Sequence, residues 1–209
     1  MGYPEGLTAA LGGVTVHQLR GWRAGTSPLL VPEENPERPL RYSFRDLIAI
    51  RTFAALRTGF SLQKIRRAVA NLHRLSDVDH LANYRLVGDG NGDTIVWATG
   101  EGSVDILKRP GQRLIITMGD VFGEFIGWNE APVVPLRSPK PGVAIDPETL
   151  LGFPCIENTR IPYDTIADLA HDGLQADDIA YFYPSVGEAG VTGAIALDRY
   201  VADYNGVAV

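Results

Sequence analysis

Thr15-Val-His-Gln-Leu-Arg-Gly-Trp-Arg23 is the stretch on which the reading of this chain turns. Thr15 follows a Gly12-Gly13 turn and stands where a helix N-cap is expected. Val16 and Leu19 recur at i, i+3 and face inward, while His17, Gln18, Arg20 and Arg23 project outward. Such an outward face suits the DNA major groove, with Gln18 offered to adenine edges and arginine to guanine or phosphate. The preceding LTAALGG reads as a shorter helix, so the pair forms a helix-turn-helix.

Outward from there, Leu29-Leu-Val-Pro32 reads as a strand. A turn follows, then a second strand bearing Arg41 and Tyr42 and a capped helix beginning at Ser43. In that helix Leu47, Ile50, Phe53, Ala54 and Leu56 fall near helical spacing, and Gly59 stops it. Ser61 is the N-cap candidate of a fourth helix, with Lys64 where a capping box would place glutamate. Ile65, Val69 and Leu72 make its apolar stripe; Lys64, Arg66, Arg67 and Arg74 lie on or near the other face.

Charge separates this region from the rest. Residues 1–75 carry +6 and the remaining 134 residues −12, within an overall −6. That asymmetry points to a nucleic-acid-binding end joined to something else, a solvated basic helix face being the alternative. Forty-five per cent hydrophobic and 21% charged residues describe a soluble globular protein. MGYPEG gives no leader pattern, and no segment approaches the roughly 20 apolar residues that span a bilayer. A single cysteine, Cys155, forbids an internal disulfide and a cysteine-based zinc site, and the expected location is cytoplasmic.

The expected architecture is α+β in three parts: 1–75, a β-rich middle zone and linker over 76–141, and 142–209. In the middle, Thr94–Ala98, Ser103–Leu107 and Gln112–Thr117 read as short strands, and Val121, Phe122, Phe125 and Ile126 as a helical turn or two. Ser138-Pro-Lys-Pro-Gly142 has a linker's composition. The last part opens with a strand at Val143–Ile145 and a tight Asn158-Thr-Arg-Ile-Pro162 turn. Helices at roughly 163–171, 176–182 and 188–204 follow, punctuated by Gly173 and Pro184.

Catalytic and metal signals are weak. Asp89-Gly-Asn-Gly-Asp93 imitates a calcium loop, but Thr94 and Gly100 occupy its glycine and glutamate positions, so it reads as a hairpin turn. His17, His73, His80 and His171 have no ligand spacing, and Asp177-Asp178 reads as a helix start. Without a phosphate-cradling loop, nucleophile elbow or paired catalytic carboxylates, no enzyme activity, cofactor or metal is expected.

Four ordered blocks over about residues 3–72 resemble the MerR family: Leu19-Arg20-Gly21-Trp22, Arg41-Tyr42-Ser43, Asp46-Leu47, and Gly59-Phe60-Ser61-Leu62-Gln63-Lys64-Ile65-Arg66. The resemblance implies a winged helix-turn-helix in which Arg20 and the wing residue Arg41 touch DNA, and Leu19, Trp22, Phe60 and Ile65 form core. The full expected DNA-contacting set is Thr15, His17, Gln18, Arg20, Arg23, Arg38, Arg41 and Tyr42. Gly21 replaces the family's usual aromatic, and the family's long coiled coil is missing after Leu75.

Residues 143–204 resemble VapB-type antitoxins, which pair with VapC-type PIN-domain ribonucleases. The matching blocks are Ile145-Asp146-Pro147, Gly152-Phe-Pro-Cys-Ile156, Thr159-Arg-Ile-Pro162, Gly173, Ile179 and Tyr183-Pro184. Asn158 stands where glycine is usual, and Arg160 reads foremost as a structural arginine of the turn. The combined resemblance implies a homodimeric antitoxin that represses its own operon through operator DNA and neutralises a PIN-domain toxin. With two bases against eleven acids, the domain carries −9, which suits a basic toxin or simply keeps it soluble. The rivals are a regulator whose middle β zone senses a small molecule, and a structural module without a DNA role.

Overall fold

The structure, a computed structural model, describes residues 2–26, 28–33, 39–57, 60–75, 85–89, 95–99, 102–105, 113–114 and 121–206. Helix α1 (Glu5–Gly12) leads through Gly13 into α2 (Val16–Arg23), and α3 (Phe44–Leu56) and α4 (Leu62–Leu75) follow. Strands β1 (Arg85–Asp89), β2 (Ile95–Thr99), β3 (Gly102–Asp105) and β4 (Arg113–Leu114) form one antiparallel sheet in the order β3-β2-β1-β4. Strands β5 (Phe125–Ile126) and β6 (Pro132–Val133) pair with each other, as do β7 (Val143–Ala144) and β8 (Cys155–Ile156). The last helices are α5 (Tyr163–His171), α6 (Ala176–Phe182) and α7 (Gly187–Gly206). The described residues are therefore α+β and rich in helix.

Local chemistry sets most helix starts. The Thr15 side chain accepts from the Gln18 backbone N–H at 3.1 Å while Gln18 Oε1 accepts from Thr15 N at 2.8 Å, a complete capping box. Ser43 and Asp46 repeat the device for α3 at 3.0 and 2.7 Å. Ser61 Oγ accepts from Lys64 N at 3.3 Å, so it caps α4 without the reciprocal acid.

Gly12 and Gly13 let α1 and α2 turn tightly against the core. A Cβ on Gly12 would lie 2.6 Å from Ile50 Cγ2, and one on Gly13, whose φ is +74°, would lie 2.6 Å from the Phe125 ring. Leu19, Trp22, Phe60 and Ile65 are buried, and Trp22 stands edge-on to Phe53 and Trp128.

The chain's two ends share one core. Apolar residues from Tyr3 through Val69 and from Val121 through Leu197 belong to a single buried cluster. Tyr200 Oη donates to Ala10 O at 3.0 Å and Asn205 Nδ2 to Gly6 O at 3.1 Å, tying α7 to α1. Tyr3 Oη donates to Gly152 O.

Four local readings change. Tyr42 does not pair with 29–32: it bridges Tyr3, exchanging both backbone hydrogen bonds at 2.8 and 3.0 Å. Leu29 instead turns back and donates its N–H to Trp22 O at 2.7 Å, so among the described residues no wing hairpin forms. Phe125 and Ile126 are strand rather than helix, because Ile126 lies opposite Pro132 across the β5–β6 pair. Ser138–Gly142 is a packed turn rather than a free linker: Ile145 N donates to Arg137 O at 2.9 Å, and Gly142 lies against the Ala189 carbonyl. Strands β2, β3 and β4 fall within a residue or three of their expected positions, whereas β1 had no specific signal. Arg38 and the 90–94 turn lie outside the described residues.

Candidate nucleic-acid interface

Helix α2 presents one side to the core and one to solvent. His17, Arg20 and Gly21 are exposed, Gln18 and Arg23 half-buried, and Leu19 and Trp22 buried beneath them. Nothing lies within 4 Å of a Cβ placed on Gly21, so that part of the helix surface is open. Arg66 of α4 reaches over and donates to Gly21 O at 3.3 Å, bringing a cation from another helix to the same surface.

The arginines are already engaged. Arg20 Nη2 lies 2.8 Å from Glu5 Oε2, and Arg23 Nη1 lies 3.2 Å from Glu5 Oε1. Burial alone would push the Glu5 carboxyl up, but hydrogen bonds and charge from Arg20 and Arg23 outweigh it and hold the group below its ordinary value. Such pairs on an accessible surface are weak and can exchange for phosphate oxygens.

Of the expected contacts, Thr15, His17, Gln18, Arg20 and Arg23 are brought together on α2 and its cap. Thr15 and Gln18 spend their side chains on each other in the capping box, which competes with any base contact by Gln18. Tyr42 is 1% exposed, so its ring is core; its hydroxyl accepts from Arg23 Nη1 at 2.8 Å and orients that guanidinium. Half-buried Arg41 donates to Leu40 O at 3.2 Å.

Two of the bases at this end are drawn toward the core, Arg51 fully buried and Arg57 half-buried. Arg51 is 0% exposed. Its guanidinium donates to Val121 O, to Leu11 O at 2.6 Å, to Gly123 O at 2.5 Å and to Val134 O at 3.3 Å. It also lies 4.8 Å from the Phe125 ring centroid. Desolvation pushes it down to about 10, and it stitches α1 to the 121–134 segment instead of meeting solvent. Arg57 stacks on Trp128 at 4.2 Å and donates to Phe60 O at 2.6 Å. An arginine in an apolar helical pattern was the available signal for Arg51, since only a buried partner set reconciles that charge with that face.

At the other end, the chain turns back after β8, bridging Cys155 to Pro162, through a turn in which Asn158 has φ +60°. Thr159 Oγ1 donates to Ile156 O at 2.9 Å and accepts from Ile161 N at 3.0 Å. Thr159, not Arg160, therefore holds the turn; Arg160 is exposed and makes no hydrogen bond among the described residues. Cys155 is buried, and burial pushes its thiol up to about 11, which suits a packing residue rather than a nucleophile.

A likeness to a known family falls on the segment from β7 into α7. Residues 143–197 match DUF433, a family described as a protein of unknown function. The DUF433 match covers well under half of the chain, and neither the curated proteins nor the solved structures contain a significant match. Among the described residues no helix is long and apolar enough to cross a membrane, and no three His, Cys, Asp or Glu side chains group as metal ligands.

Proposed function

We propose that this protein is a DNA-binding autorepressor and antitoxin, reading operator DNA through α2 and neutralising a PIN-domain ribonuclease of the VapC type. The observation that carries the DNA reading is α2 itself, a helix with a complete capping box, raised on buried Leu19 and Trp22, with His17, Arg20 and Gly21 open to solvent. The +6 charge of residues 1–75 supports it, although Arg51 and Arg57 are drawn inward. The head is of MerR type in this reading, and the protein acts as a homodimer because two half-sites require two recognition helices. The toxin half rests on the VapB-like blocks of residues 143–204 and on the −9 charge there.

The test is a fluorescence anisotropy titration of the full chain against DNA from upstream of its own gene, over a range of salt. Wild-type protein binds, and its affinity falls steeply with salt. Arg41→Ala weakens all sequences alike and lowers the salt slope by about one per half-site. An absence of binding at low salt overturns the DNA reading. The toxin half is tested by expressing the product of the adjacent gene, which the reading requires to be a PIN-domain ribonuclease, and measuring its activity with and without the chain; a neighbour of another kind, or undiminished activity, overturns it.

A further inference from the structure

Tyr181 and Phe182 end α6 with 81% and 64% of their surfaces exposed, among the largest apolar exposures on the molecule. Their rings meet edge-to-face with centroids 5.3 Å apart, forming one aromatic knuckle. Beside it, Leu169, Leu174, Phe182 and Tyr183 line an open cleft of about 420 Å³ between α5 and the end of α6. Exposed aromatics next to an apolar cleft mark an interaction surface more often than chance exposure does.

The charge around it names the partner. No lysine or arginine occurs between Arg160 and Arg199, while Asp168, Asp172, Asp177 and Asp178 are all exposed there. On α6, Asp177 and Tyr181 share a face at i, i+4, as do Asp178 and Phe182, so each aromatic carries an acid one turn before it. None of these four acids forms an ion pair among the described residues. Like charge excludes nucleic acid from this surface. An isologous contact with a second copy would set these acids against their own counterparts, and a heterologous one would consume the basic head proposed for DNA.

We infer that the Tyr181-Phe182 knuckle and its acid-flanked cleft are the docking site for a basic protein partner that inserts an apolar side chain. Resting on the antitoxin reading, this assigns toxin capture to α5 and α6, with the aromatics as anchor and the aspartates as steering charge.

The experiment measures association and dissociation of the full chain with the product of the adjacent gene, which the antitoxin reading requires to be a PIN-domain ribonuclease, by surface plasmon resonance. Tyr181→Ser with Phe182→Ser weakens the complex at least about thirtyfold, chiefly through faster dissociation, as loss of hot-spot residues does. Asp177→Asn with Asp178→Asn slows association at low salt and leaves dissociation nearly unchanged. Both variants retain the wild-type melting curve and DNA affinity. Wild-type binding by the aromatic variant overturns the docking site while leaving the antitoxin reading in place. Failure of the wild-type chain to bind overturns the antitoxin reading, and this inference falls with it. If light scattering shows that the aromatic variant alone turns a dimer into a monomer, the knuckle is a self-interface and the inference is again overturned.

Discussion

Arg20 Nη2 sits 2.8 Å from Glu5 Oε2, so the most outward arginine of α2 is held by a carboxylate from the first turn of α1. The same carboxylate takes Arg23, which leans in turn on the Tyr42 hydroxyl. One acid thus sets the aim of two cations on the proposed reading helix. Phosphate must displace it for either arginine to reach the DNA backbone.

Removing that acid therefore strengthens sequence-independent binding. Glu5→Gln frees Arg20 and Arg23, and affinity for random duplex rises several-fold, with a salt slope steeper by about one per half-site. Competition titrations against random and upstream DNA read both numbers. An unchanged slope means that neither arginine reaches phosphate.

The pH dependence of this cluster has a defined sign. Glu5 is held below its ordinary value when folded, so its contribution to stability is complete above the unfolded value, near pH 4.3, and fades as pH falls through the folded one. Urea melts between pH 7 and pH 3 show a loss at the acid end that is smaller in Glu5→Gln. Because Arg20, the closer partner, is 63% exposed, solvent screening keeps the difference modest.

Gln18 is expected to do two things, and substitution separates them. Gln18→Ala relaxes base preference and costs roughly 1–3 kcal/mol on the cognate site if the amide reads DNA. Gln18→Glu keeps the capping box and removes the amide donor, so stability is retained while adenine preference is lost. Thr15→Ala costs about 1 kcal/mol of folding stability. If Gln18→Glu binds the site as wild type does, Gln18 is a capping residue alone.

Arg51 is a structural cation. Arg51→Met leaves carbonyls of Leu11, Val121 and Gly123 without their donor and destabilises the chain by about 3 kcal/mol or more. Equilibrium denaturation checks it, and a loss under 1 kcal/mol would mean that water replaces the guanidinium without penalty. Because Arg51 and α7 join the two ends, excising residues 1–75 exposes core, and DNA binding is best assayed on the full chain.

Asn158 holds φ +60° in the turn that follows β8. Asn158→Gly is neutral or slightly stabilising in a thermal melt, whereas Asn158→Ala costs about 1 kcal/mol, because a Cβ without the amide gains nothing in the left-handed region. Equal melting of the Ala and Gly variants would show that the turn relaxes.

Read alone, the sequence determined whatever depends on a few neighbouring residues. Thr15, Ser43 and Ser61 mark helix starts because a side-chain oxygen and an N–H three residues on are already close. Gly173 and Pro184 bound α5 and α6 because left-handed backbone and a missing N–H end helices anywhere. The burial of Leu19, Trp22 and Ile65 followed from helical periodicity. Tertiary structure alone decided that Tyr42 pairs with Tyr3, that Arg51 turns inward, that Glu5 claims Arg20, and that Tyr181 and Phe182 are left uncovered. Each of these is settled by the presence or absence of a partner distant in sequence. Chain separation carries no local pattern, and an arginine looks the same whether carbonyls or water await it.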